Sequence, residues 1–129
     1  MGEISIAYLD THVLIWLYDG AVDRLTKPAK RAIEKSDLLI SPASILELEI
    51  LHEIGRRRSP AKNLVSALQR DIGLQICNLP FHSTAVHATG EAWTRDPFDR
   101  LIVANAKAAN ASLITADSQI RRHYARAIW

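Results

Sequence analysis

Along almost its whole length the chain alternates between short apolar runs of strand length and longer stretches of helix length, and this alternation restricts the fold more than any other feature. Ile4 to Leu9 reads as a buried strand ending at Asp10. THVLIWLYDG then reads as a helix, with Leu14, Ile15, Leu17 and Tyr18 spaced for one face and Gly20 as its stop. Thr26 and Pro28 open a second helix to about Lys35, and DLLIS is a second strand. Ser41 and Pro42 form an N-cap and first-turn pair for a third helix to Ile54, stopped by Gly55, and Ser59-Pro60 repeats that signal for a fourth helix to Gly73. LQICNL is a third strand, followed by a helix around His82 to Trp93 and another that Asp96-Pro97 starts. ASLITAD is the next strand, with a short helix to about Tyr124 and a last strand RAIW. Strands alternating with helices imply right-handed crossovers. The expected architecture is therefore one α/β domain over 1–129, three layers α/β/α around a mainly parallel sheet.

Composition removes several classes of function. With 129 residues, 48% apolar and 23% charged, the chain has the makings of a buried core and not of a disordered segment. Its single cysteine, Cys77, rules out an internal disulfide framework or a cysteine-rich zinc site. No apolar run reaches the roughly 18 residues that span a bilayer, and no signal pattern opens the chain. The expectation is a cytoplasmic protein with no membrane contact. The net charge of +2 names no partner, but Arg56, Arg57 and Arg58 form one basic cluster and Arg121, Arg122 and Arg126 a second.

The acids are where chemistry enters. Asp10, Asp96 and Asp117 each stand where an aspartate caps a helix, and Asp99 falls at the third helical position, where an acid suits the positive end of the helix dipole. Each has that structural reading on its own. Glu47 shares a helical stripe with Ala43, Ile50, Leu51 and Ile54, so two readings stay open for it: a core-edge ion pair or a ligand. Glu49 and Glu53 lie on another face and read as surface acids.

Taken together the acids say more. Asp10 and Asp117 end two strands, Glu47 lies in the second turn after another, and Asp99 opens the helix before the last clear strand. Ligands of open parallel sheets bind beyond the carboxyl ends of the strands, so these four side chains can converge there. Like charges about 4 Å apart repel by roughly 4 kcal/mol per pair at an effective dielectric of 20, and cations or protons must offset that. All-oxygen donors select a hard ion such as Mg²⁺ or Mn²⁺, which can activate water against a phosphodiester. The five histidines show no zinc-ligand spacing.

YLDTHVLIWL, ISPASILELEI, RDPFDRLIVANA and LITAD, in that order, resemble the PIN-domain ribonucleases, and most closely the VapC-type toxins of bacterial toxin–antitoxin pairs. The resemblance implies a PIN-like fold and a Mg²⁺- or Mn²⁺-dependent endoribonuclease, with Asp10, Glu47, Asp99 and Asp117 as its acidic quartet. It implies that Asp10 and Asp99 lead among the metal ligands, with Glu47 and Asp117 completing the pocket. Thr115 and Thr11 are implied to hold a carboxylate or water, and Arg100 to pair with a carboxylate or approach phosphate. It further implies a homodimer and a cognate antitoxin laid in an apolar groove beside the active site, where Trp16, Tyr18 and the first helices supply surface. Arg56 to Arg58 are then candidates for guiding RNA, and Trp93 or Phe98 for stacking on a base. Thr94 stands where related toxins often carry histidine, and Leu51 where lysine is frequent.

Two other functions use the same pattern. A receiver-like phosphoacceptor domain calls for an acidic pair beside the first strand and a late lysine, but SIAYLDTH has no such pair and no lysine follows Lys107. A non-catalytic binding module makes every acid a cap or an ion-pair partner and predicts no effect of divalent ions.

Overall fold

A computed structural model describes residues 5–129. Five strands, β1 (Ser5–Leu9), β2 (Ser36–Ile40), β3 (Gln75–Ile76), β4 (Ser112–Ile114) and β5 (Ala127–Ile128), form one sheet in the order β3-β2-β1-β4-β5. All four pairings are parallel, so the expected mainly parallel sheet is wholly parallel among the described residues. Seven α-helices connect and cover it: α1 (Thr11–Asp19), α2 (Lys27–Lys35), α3 (Pro42–Glu53), α4 (Ala61–Ile72), α5 (Phe81–Ala88), α6 (Pro97–Ala108) and α7 (Ser118–His123). Ile4, placed in the first strand from sequence, lies outside the described residues.

The strand side chains alternate between two cores, as a two-residue repeat requires of a sheet covered on both faces. Ala7, Leu9, Leu38, Ile40 and Ile114 meet α1 to α4 through Val13, Leu14, Leu48 and Leu64. Tyr8, Leu39 and Leu113 face the other way, onto Ile102, Val103 and Ala106 of α6 and Ile120 of α7. This is the three-layer arrangement expected from the alternation. None of the described helices is long and apolar enough to cross a membrane.

Two element boundaries differ from the sequence reading. Helix α4 starts at Ala61, with Pro60 in the cap position and without a side-chain cap from Ser59. The free amide of Ala61 is met instead by Glu49 Oε1 of α3 at 2.9 Å, so Glu49 is not an ordinary surface acid. Helix α5 ends at Ala88 and not near Trp93. There the amides of Thr89 and Gly90 turn back on Ala85, Val86 and His87, and Glu91 is drawn into the interior, 3.3 Å from Lys107 Nζ.

Chain direction across the sheet places the site. From β1 the chain steps outward to β2 and β3, then returns to put β4 on the opposite side of β1. The strand order reverses between β1 and β4, and that reversal opens a crevice beyond their carboxyl ends. Asp10 follows β1 immediately and its amide donates to the Ile114 carbonyl of β4 at 3.0 Å.

Candidate functional site

One cavity of about 350 Å³ opens at this crevice, lined by Asp10, His12, Trp16, Glu47, Asp96, Asp99, Ala116 and Asp117. All four acids singled out from the sequence therefore reach one space from four separate parts of the chain. The local fold explains how each is aimed.

Asp10 is the N-cap of α1 and is buried, at 7% exposure. Its Oδ1 accepts from the Thr11 amide at 2.8 Å and its Oδ2 from the Thr115 hydroxyl at 2.6 Å. Burial pushes its carboxyl above the usual range, against the lowering effect of those two hydrogen bonds. The Thr115 oxygen also accepts the Asp117 amide at 3.0 Å, so one hydroxyl ties the loop after β4 to the acid after β1. Asp117 caps α7, its Oδ1 accepting from Gln119 and Ile120 amides at 2.9 Å each.

Glu47 makes neither the ion pair nor the stripe that the sequence suggested. The fully buried positions of α3 are Ser44 and Leu48, and Ile54 is 60% exposed. Thr11 Oγ1 lies 2.5 Å from Glu47 Oε1 and 3.1 Å from Ser44 Oγ, so the Thr11 hydroxyl holds this carboxylate and Ser44 braces Thr11, with no ion pair to Glu47 among the described residues. Burial again raises its carboxyl, partly offset by the Thr11 bond.

Asp99 and Asp96 separate cleanly. Asp96 Oδ1 caps α6, accepting from Phe98 at 2.8 Å and Asp99 at 3.3 Å. A reciprocal capping box would have Asp99 reach back to the Asp96 amide. That amide is taken by Thr94 Oγ1 at 3.1 Å instead. The Asp99 carboxylate is left without a hydrogen-bond donor among the described residues, aimed into the cavity above Ile102 and Val103. Burial, and then the charges of Asp96, Asp10, Asp117 and Glu47, push its carboxyl up to about 7. Asp96 thus caps the helix and also lines the cavity.

Several expected roles come out differently. Among the described residues Arg100 pairs with no carboxylate, and its Nε donates to the Thr94 carbonyl at 2.8 Å, which fixes the turn carrying Asp96. Trp93 stacks flat on His123 with ring centroids 4.9 Å apart, so one of its faces is already covered. Arg57 is held by Asp19 at 2.7 and 2.9 Å, and the cavity that Arg56, Arg57, Arg58, Tyr18 and Asp19 share is separate from the acidic one. Arg126 is bonded to Asn110. Sequence reasoning passed over His12, the one basic side chain lining the acidic cavity, and Ser44, which completes the Thr11–Glu47 contact. Both had a signal: His12 follows the Asp-Thr pair in the first turn of α1, and Ser44 lies three residues before Glu47, on its side of α3.

Carboxylate oxygens dominate this space, with His12 the one nitrogen donor in its lining, and they suit a hard divalent ion. Among the described residues no three His, Cys, Asp or Glu side chains are grouped tightly enough to enclose an ion as they stand. The fit therefore rests on the donor chemistry and on the Asp99 carboxylate, which burial and then the neighbouring acids push up and which no donor meets among the described residues.

Comparison with known proteins gives consistent relatives. The family model described as PIN domain matches residues 7–126. Ribonuclease VapC22 of Mycobacterium tuberculosis (strain ATCC 25618 / H37Rv) is 33% identical over 127 residues, covering 93% of each chain. A toxin–antitoxin complex from Klebsiella pneumoniae contains a chain of similar fold, with a TM-score of 0.60 and 22% identity over 88% of this chain and 89% of that one. VapBC2 from Rickettsia felis, bound to a DNA fragment from its promoter, has one with a TM-score of 0.58 and 16% identity over 91% and 92%.

Proposed function

The chain belongs to the PIN domain family, in its VapC group, and from that premise we propose that it is a metal-dependent endoribonuclease, the toxin of a toxin–antitoxin pair. The observation that carries this reading is the convergence of Asp10, Glu47, Asp99 and Asp117 on one cavity at the point where the strand order reverses. Its 33% identity to a protein named as a ribonuclease supports the substrate class.

In this reading Asp10 and Asp99 hold Mg²⁺ or Mn²⁺, and Glu47 and Asp117 complete the coordination directly or through water. When bound, the ion offsets the crowded negative charge and lowers the pKa of an attacking water. The chain's own contribution is positioning. Thr115 fixes Asp10, Thr11 and Ser44 fix Glu47, and the capping bonds fix Asp117 and the turn before Asp99. Crowded carboxylates with no lysine or arginine in the cavity's lining distinguish this site from a set of structural caps, which would leave Asp99 with a donor.

A cognate antitoxin is the proposed partner. The groove between α1 and α2, lined by Leu17, Val22, Leu25 and Ile33 with Lys30 and Glu34 beside them, is where it would lie. A homodimer acting in the cytoplasm belongs to the same proposal, and sedimentation of the purified chain with and without antitoxin measures both associations.

The decisive experiment is RNA cleavage with Mn²⁺, Mg²⁺ or EDTA, by the wild type and by Asp10→Asn. Asparagine keeps the cap on α1, so the variant folds. Cleavage should require the metal and be lost in the variant. Cleavage in EDTA, or an unaffected variant, overturns the proposal.

A further inference from the structure

Trp16 shares the acidic cavity with all four carboxylates although it belongs to no acidic motif. It is one turn from His12 on α1, with ring centroids 6.2 Å apart, and its other neighbour is Trp129, at 5.7 Å and tilted by 44°. The Arg24 guanidinium carbon lies 5.9 Å from its ring centroid. Arg24 thus covers one face of the ring and Trp129 braces it at the margin of the core, and Trp16 also borders the cavity. It is a rigid aromatic wall about 9 Å along the helix from Asp10, by the rise per residue.

We propose that Trp16 is the base-stacking platform of this site, receiving an unpaired nucleobase of the RNA next to the phosphate being cut. The inference rests on the ribonuclease reading and deepens it. The carboxylates of the mouth repel the RNA backbone, so the side chains that add affinity beside the scissile bond are ones that attract the base and not the phosphate. An aromatic face does so, because every base has a π-surface, and it selects single-stranded or flipped nucleotides over duplex. Of the other aromatics near the acids, Trp93 stacks on His123 and Phe98 lines a separate apolar cavity with Leu46 and Phe81, and neither lines the acidic one. Trp16 is consequently a substrate-positioning residue.

The test is a double-substitution cycle. Binding of a short unstructured RNA of mixed sequence is measured by fluorescence anisotropy in the Asp10→Asn background with Mg²⁺, which prevents cleavage. The RNA is used intact and with single abasic positions scanned along it. Trp16→Ala should weaken the intact RNA about tenfold, the size of one stacked base, and Trp16→Phe should restore most of that. One abasic position should weaken binding to Trp16 by a similar factor and have little further effect on Trp16→Ala. Should the alanine variant unfold, Trp16→Leu, which fills the margin of the core without an aromatic face, replaces it in the cycle. An abasic penalty undiminished in Trp16→Ala, or in Trp16→Leu should alanine unfold, overturns the inference. So does unchanged RNA affinity accompanied by loss of antitoxin binding, which would give the wall to the protein partner. Absence of any RNA binding, with no cleavage by the wild type, instead overturns the ribonuclease reading itself.

Discussion

Thr115 joins two of the four acids through one oxygen, donating to Asp10 and accepting from the Asp117 amide. Thr115→Val keeps the shape and removes both bonds, leaving a buried carboxylate oxygen without its donor. Metal-dependent cleavage should fall about 10- to 100-fold, as when an outer partner of a metal ligand is lost. The melting temperature should drop by a few degrees. Thr115→Ser should recover most of the rate, and an unaffected valine variant would remove the hydroxyl from the proposed machinery. Asp99 yields a pH prediction of definite sign. Its carboxyl is raised in the folded chain to about 7 from the usual 3.8, so between those values the folded state holds more protons than the unfolded one. Stability without metal must therefore fall as pH rises through that interval, by about 1–2 kcal/mol once solvent screening is allowed for. Denaturant titrations in EDTA at pH 5 and pH 8 should show this loss, and Asp99→Asn should abolish that part of it. The different fates of Asp96 and Asp99 were legible in the sequence, because the Asp-Pro pair marks the cap and Asp99 shares a face with Ile102, Val103 and Ala106. Glu47 was not legible in the same way. Helix α3 is apolar nearly all round, so periodicity alone did not reveal that Ser44 and Leu48 define its buried side.

Elements were legible wherever a cap or stop is local to the chain. Ser41, Asp96 and Asp117 cap the helices they precede, and Gly20 and Gly73 end theirs at φ +71° and +69°. Reading failed where the cap comes from elsewhere. The first amide of α4 is taken by Glu49, 12 residues earlier on α3, a pairing that no local pattern encodes. The extent of α5 was misjudged for a related reason, since the apolar positions up to Trp93 serve the α6 and α7 side of the core through a turn and not through a continued helix. The α4 case gives a test. Glu49→Ala should cost about 1 kcal/mol, as the loss of a helix cap does, and lower the melting temperature by a few degrees. Glu53→Ala, exposed on the same helix without such a contact, should change it by much less. Equal effects of the two would mean that the Glu49 contact does not stabilise α4. Neither variant should alter the metal dependence of cleavage, because neither residue lines the acidic cavity.

Across the whole molecule, charge is divided between opposite ends of two helices. The acids gather where α1 and α3 begin, and the arginine cluster lies where both end, about 13 Å away along α1 and about 18 Å along α3 by the rise per residue. The cluster therefore has no direct part in hydrolysis, but it can hold the backbone of an RNA whose cut phosphate sits at the acidic mouth. Its three arginines are not equivalent. Arg57 is committed to Asp19, which leaves Arg56 and Arg58 exposed. Each phosphate contact on a single strand contributes about 0.7 to the slope of log affinity against log salt. The Arg56→Ala, Arg58→Ala double variant should reduce that slope by about 1.4 and weaken RNA binding, while kcat stays within about twofold. Arg57→Ala should change the slope less, since its loss also frees the Asp19 carboxylate, and its effect on stability should be within about 1 kcal/mol, typical of an exposed ion pair. An unchanged slope in the double variant would confine RNA to the acidic mouth and the Trp16 wall. A fall in kcat without a change in slope would instead mean that the arginines act through the fold, because a contact made equally in ground and transition states changes affinity alone.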